Sequence, residues 1–182
     1  ARATELRLPV QYVSRPDASF RGYAGTLAAG SVAVGDAIVA LPCGARSVVA
    51  SISGPDGPRR SAAAGESVML TLADQVDLGR GQVIANPAHP PLVARHFGAD
   101  LVWMAAEPLQ PGRDFEFKFA HRYVPGTIGA IEQRVDVHDY SARAADALAL
   151  NDVGRVAVEL AEPVALDLYD EHETTGSFIV ID

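Results

Sequence analysis

The stretch Asp114-Phe115-Glu116-Phe117-Lys118-Phe119 alternates charge and aromatic ring with strict period two, and no other pattern in the chain constrains the fold as much. Side chains of a strand point alternately to its two faces, so three phenylalanines enter a core while the charges face water. The same reading applies to residues 131–138, where Ile131, Val135 and Val137 share one face and Glu132, Arg134, Asp136 and His138 the other. Residues 155–160 repeat it with Val156, Val158 and Leu160. The second half of the chain is predicted to be built on half-buried strands.

The first half reads as short strands cut by Gly, Pro and Asp, the spacing of an all-β barrel or sandwich. An apolar-rich run over residues 6–13 is broken by Arg15-Pro16-Asp17, and a strand resumes over 19–27 with Tyr23 and Thr26 as favourable β residues. Gly30 and Gly35-Asp36 supply turns, residues 37–41 form a short strand before Pro42, and 46–53 form another. Gly54-Pro55-Asp56-Gly57-Pro58 is a loop by composition. Val68, Leu70 and Leu72 lie on one face of the next strand, opposite Met69 and Thr71, and residues 82–85 close the unit. Residues 141–150, rich in alanine, are the one helix-like stretch, long enough for about two turns.

The chain has 182 residues, 48% of them hydrophobic and 21% charged, enough for two small domains with real cores. Asn86-Pro87-Ala88-His89-Pro90-Pro91 favours an extended spacer, which sets the expected domains at 1–86 and 87–182. No run approaches the ~18–20 apolar residues of a membrane helix, and the N-terminus lacks a signal-peptide pattern, so no membrane association and a cytoplasmic location are expected. Cys43, the only cysteine, excludes an internal disulfide and reads as a small hydrophobe or a loop thiol. The net charge of −8 is uneven: residues 1–86 carry 8 basic and 7 acidic groups, residues 87–182 carry 7 and 16. Nucleic-acid binding rests on neutralised phosphates, so such a chain points to a protein partner.

Chemistry-bearing motifs are scarce. A P-loop needs G-x-x-x-x-G-K-[ST], and the single lysine, Lys118, sits inside the alternating strand with no glycine-rich turn before it. There is no G-x-S-x-G. Asp136, His138 and Asp139 form the most site-like cluster, as metal ligands or a general base with its orienter, but strand alternation puts Asp136 and His138 on a solvated face. His89, His96, His121 and His172 have no ligand spacing. The glycine loop running into Arg59-Arg60 reads as a hairpin tip, and the acidic run Asp167-Leu168-Tyr169-Asp170-Glu171-His172-Glu173 as a surface loop. No catalytic, cofactor-binding or metal residue is expected.

Gly30 to Asp36, then Ala64-Gly65-Glu66-Ser67-Val68, then Gly79-Arg80-Gly81-Gln82-Val83 resemble the second domain of translation-factor GTPases, where such turns link the strands of a β-barrel. Longer stretches narrow the resemblance: Arg7-Leu8-Pro9-Val10-Gln11-Tyr12-Val13-Ser14-Arg15-Pro16, Phe20-Arg21-Gly22-Tyr23-Ala24-Gly25-Thr26 and Val102-Trp103-Met104. They look like the large, GTPase subunits of bacterial ATP sulfurylases. Leu150-Asn151-Asp152-Val153-Gly154-Arg155, Ala161-Glu162-Pro163 and Thr175-Gly176-Ser177-Phe178-Ile179-Val180-Ile181-Asp182 resemble the third domain of the same family.

The resemblance implies an all-β chain of two consecutive antiparallel barrels, of translation-factor domain 2 and domain 3 type, the second lacking its last strand. It implies a parent enzyme that makes adenosine 5′-phosphosulfate from ATP and sulfate with GTP hydrolysis. GTP and Mg would be bound by a GTPase domain with no counterpart in this sequence, so the expected partners are that domain and a small catalytic subunit. Phe20, Arg21 and Tyr23 are the interface candidates. Two other classes remain open: barrels that hold aminoacyl-tRNA, as in elongation factors, and a metal hydrolase built on Asp136, His138 and Asp139.

Overall fold

The computed structural model describes residues 5–17, 20–139 and 141–182. Its first ten strands are β1 Arg7–Pro9, β2 Tyr12–Ser14, β3 Gly22–Thr26, β4 Ser31–Ala33, β5 Ala37–Leu41, β6 Ala45–Gly54, β7 Gly57–Arg59, β8 Ser61–Ala63, β9 Ser67–Leu72 and β10 Val83–Ala85. β11 Leu92–Val102, β12 Arg113–Phe119, β13 Arg122–Val135, β14 Ala142–Arg143 and β15 Val153–Leu166 follow, then the four-residue helix α1 Glu173–Gly176 and β16 Ile179–Ile181. Among the described residues the chain is all-β apart from α1. It divides into two compact units: Ala1–Val93 with Lys118–Tyr123 and Val164–Ile179, and Ala94–Phe117 with Val124–Pro163 and Val180–Asp182. The expected boundary cuts the chain once, after residue 86; the first unit also takes in two segments from the second half.

In the first unit the strands pair antiparallel in the order β1-β10-β5-β6-β9-β3-β2, with β7 on β6 and β4 with β8 apart. The sheet curls on itself because β1 also bonds the chain beyond β3: Ala28 N–H donates to the Arg7 carbonyl at 2.8 Å and Arg7 N–H to the Ala29 carbonyl at 3.1 Å. Closing a sheet in this way leaves few open edges. Leu8, Val10, Tyr23, Ile38, Val49, Ile52, Leu70 and Ile84 fill the interior.

Turn chemistry sets the register. Gly81, with φ +82°, carries the chain into β10, and a Cβ there would lie 2.3 Å from Arg122 Cβ and 2.7 Å from Arg122 Cα and N. Only glycine lets the 79–81 turn lie this close to the 120–122 turn. Gly81→Ala is expected to lower stability by more than about 1 kcal/mol, through strain at positive φ and the clash together; an unchanged urea midpoint would contradict this packing.

The strands of the second sheet pair in the order β11-β15-β13-β12-β16, with β14 on β13. Phe115 and Phe117, at alternate positions of β12, are buried as the period-two pattern requires, and so are Val156, Val158 and Leu160. Trp103 stands edge-on to Phe115 at 5.8 Å between ring centroids, and its indole N–H donates to the Glu107 carbonyl at 2.7 Å. Phe119 is buried in the first unit, against Phe178 at 5.4 Å.

Two expectations are corrected. Residues 141–150 form no helix: β14 pairs with Arg134 and Val135, and buried Leu148 exchanges backbone hydrogen bonds with Leu109 at 2.8 and 3.2 Å. Alanine propensity is a few tenths of a kcal/mol per residue, and burying Leu148 in the core outweighs it. The strand expected over 131–138 ends at Val135, after register shifts between Ile128 and Ala130 and between Ile131 and Gln133. Val137 lies past that end and is 56% exposed.

Candidate functional site

The residues singled out from sequence divide into core, turn and surface. Tyr23 cannot serve as an interface residue: it is 1% exposed, and its hydroxyl donates to the Val76 carbonyl at 2.5 Å. Burial pushes its phenol above the ordinary value, partly offset by the hydrogen bond and charge of Arg21. The inward face of β3 dictates this, since Tyr23 alternates with half-buried Ala24. Arg21 also binds the Val76 carbonyl, at 2.7 Å, and lies 3.6 Å from Asp77, so it pins the same loop from outside. Of the three candidates Phe20 is the exposed one. It flanks Gly22, where a Cβ would meet Met69 Sδ at 2.6 Å and Phe20 Cε1 at 3.0 Å. A shallow groove of about 300 Å³ opens between Gln11, Ala24, Pro55, Val68 and Met69.

Asp136, His138 and Asp139 lie in a turn and converge on nothing. The Asp136 carboxylate accepts the His138 backbone N–H at 2.9 Å, and Asp139 accepts that of Ser141 at 2.9 Å. The Ser141 hydroxyl beside it and the hydrogen bond from the Ser141 backbone hold the Asp139 carboxyl below its ordinary value. These are turn-forming bonds of a kind Asp makes routinely. The adjacent recess, about 220 Å³, is lined by both Arg134 and Asp152, which lie 3.5 Å apart. Among the described residues no group of three or more His, Cys, Asp or Glu side chains is placed to hold a metal ion.

Other candidates are equally accounted for. Arg59, beside the glycine loop, pairs with Glu66 at 2.6 Å and Asp56 at 3.2 Å. The hydrogen bond from the Ala63 backbone, with that from Arg59, keeps Glu66 below its ordinary value against partial desolvation. Cys43 is an exposed loop thiol that donates to the Ala40 carbonyl at 3.3 Å. His96 lies 3.1 Å from Glu159, both exposed. No helix is long and apolar enough to cross a membrane, among the described residues.

The most built polar cluster was missed in the sequence. Arg7 and Asp167, each with a side chain 4% exposed, form a bidentate ion pair within the first unit, at 2.8 and 2.9 Å. Arg7 also donates to the carbonyls of Leu6 and His89, and Thr175 donates to Asp167 at 2.6 Å. Burial alone would raise the Asp167 carboxyl, but hydrogen bonds from Arg7 and Thr175 and the charges of Arg7 and His172 outweigh it and hold it below the ordinary value. His172 in turn lies 3.1 Å from Glu5. The acidic run at 167–173 is thus anchored at its start. One signal was available: Arg7 stands inside Leu6-Arg7-Leu8-Pro9-Val10, with no polar neighbour to share a solvated face. The cluster's chemistry is structural, since every donor and acceptor named in it is taken up by protein.

Residues 96–182 match the family model described as GTP-eEF1A C-terminal domain-like. The chain is 44% identical over 177 residues to sulfate adenylyltransferase subunit 1 of Salmonella paratyphi B and of Salmonella newport, covering 97% of this chain and 37% of each relative. It spans little more than a third of the length of these relatives. In fold it is similar to Sup35 complexed with GMPPNP, with a TM-score of 0.84, 15% identity and coverage of 99% of this chain and 44% of that one. For Sup35 complexed with GDP the TM-score is 0.87, again at 15% identity, with coverage of 98% and 44%. At that identity the likeness is one of fold alone. Identity along nearly the whole chain goes further: over 97% of its length the chain is similar to sulfate adenylyltransferase subunit 1.

Proposed function

We propose that the chain is the β-barrel region of a GTP-dependent sulfate adenylyltransferase large subunit. In this reading it couples GTP hydrolysis, on a GTPase domain of the same parent chain, to synthesis of adenosine 5′-phosphosulfate from ATP and sulfate by a small catalytic subunit. The observation that carries it is the 44% identity over 97% of the chain. The residues present do not fit GTP or Mg: the sequence has no P-loop, and the described residues offer no metal-ligand group. In this reading nucleotide and metal are held by the GTPase domain, and the barrels act as rigid bodies whose interfaces shift with nucleotide state.

The aminoacyl-tRNA reading rests on the likeness of residues 96–182 to the GTP-eEF1A C-terminal domain-like model, and a likeness of fold does not carry function. The metal hydrolase built on Asp136, His138 and Asp139 has no support in the geometry of that turn.

Calorimetric titration of the small catalytic subunit with this chain, with adenylyl transfer followed in parallel, tests the coupling reading. Binding without GTP-dependent activity is expected. No binding at micromolar concentrations would make the barrels internal scaffold and overturn the role in coupling.

A further inference from the structure

Two turns far apart in sequence meet in the first unit, and both carry basic side chains. The contact is fixed by Gly81, whose missing Cβ leaves its turn against the backbone of Arg122. Arg80 is exposed on the first turn. On the second, at the β12–β13 hairpin, Ala120 adopts φ +47°, and Lys118 Nζ lies 5.5 Å from the centroid of the Tyr123 ring. Tyr123 is 48% exposed. His121, in the same hairpin turn, is half-buried. Burial lowers its pKa, and the charges of Arg80 and Lys118, both close enough to act on it, lower it further. Among the described residues, no carboxylate forms an ion pair with Arg80 or Lys118.

This concentration of positive charge is out of keeping with the chain, whose second half carries 16 acidic against 7 basic groups. Like charges held together repel, and an opposite charge brought to them relieves the repulsion. Arginine and tyrosine are also the side chains enriched at the centres of protein interfaces. A nucleic acid would extend past the patch and meet a surface of net negative charge, whereas a protein can present its carboxylates locally.

We propose that the face formed by Arg80, Lys118, His121 and Tyr123 is a docking surface for a protein partner that presents clustered carboxylates. The inference rests on the coupling reading, under which that partner is the small catalytic subunit. Attraction between opposed charges governs the encounter, so affinity falls as salt rises.

The test is calorimetry of the purified small subunit with the wild-type chain and with the R80E/K118E double variant, at low and at physiological salt. Arg80→Gln, a milder change at an exposed position, is measured beside them in case the double variant folds poorly. Salt-sensitive wild-type binding, weakened at least about tenfold in R80E/K118E and measurably in Arg80→Gln, is the expected result. Equal binding by folded wild type and variants would overturn the docking surface while leaving the coupling reading standing. No binding by the wild type would overturn both. Retention of purified tRNA by the wild type, lost in R80E/K118E, would give the face to nucleic acid and overturn the proposal.

Discussion

Asp167→Ala is expected to cost about 3–5 kcal/mol of stability, the loss seen when one member of a buried ion pair is removed. The reason is not the pair's own strength. Arg7 would remain in place with a 4% exposed side chain and no carboxylate, a charge out of water without its counterion. Thr175 would lose its acceptor as well, and with it one of the bonds that fix α1 against the end of β15. Replacing both partners by apolar groups, as in Arg7→Met with Asp167→Leu, should recover much of the loss, because no charge is then left buried. The pH dependence has a definite sign. The folded Asp167 carboxyl titrates below its ordinary value, so its contribution is complete above the ordinary Asp pKa of about 3.9 and disappears as pH falls through the folded value. Chemical denaturation of wild type and variant from pH 7 down to pH 2 reads this directly: the two should differ at neutral pH and converge in acid. A constant difference across the range would contradict the assignment.

Phe117→Ala should cost a comparable amount, about 3–5 kcal/mol, by a different route. The ring is fully buried, and one of its edge carbons lies 3.1 Å from where a Cβ on Gly126 would stand. That glycine lets β13 lie against the ring, so the packing there has no slack. Truncation removes apolar contact and leaves a cavity that the paired strands around it cannot collapse to fill. In a protein of this size each kcal/mol moves the melting temperature by roughly 2–4 °C, so a shift of about 6–20 °C is expected in the unit that contains Phe117. Phe117→Leu should lose far less, because it keeps most of the volume. A melting temperature within a degree or two of wild type for Phe117→Ala would mean that the ring is not part of a packed core.

Much of the fold was legible because the strands carry their own signatures. β5 was expected at residues 37–41 and is found at Ala37–Leu41, bounded by Asp36 and Pro42. The alternation at 114–119 gave the buried rings of β12 directly. β11 was not read, since its eleven residues are mostly exposed and present no apolar face to betray a period. Residues 141–150 were misread for the opposite reason. A local preference for helix was visible, and the distant partner of Leu148, 39 residues earlier at Leu109, was not.

The polar sites divide in the same way. Asp136 and His138, which alternation assigns to the polar face of a strand, lie instead past the end of β13, where the backbone bonds of their turn explain them. Arg7 with Asp167, and Arg80 with Lys118 and His121, join residues that only the closed fold brings together. Such pairs have no spacing rule, and composition hides them: the acidic run at 167–173 looks uniform, yet one of its carboxylates is a buried anchor and its neighbours are exposed.

In the proposed role the barrels carry nucleotide state to the small subunit without chemistry of their own. Hydrogen exchange on the full-length parent subunit, bound to the small subunit and loaded with GTP or with GDP, tests it most directly. Amides at the 79–81 turn and the 120–122 hairpin turn are expected to change protection between the two nucleotide states, while the central sheet strands β6 and β9 do not. Identical protection throughout both barrels in GTP and GDP would contradict it.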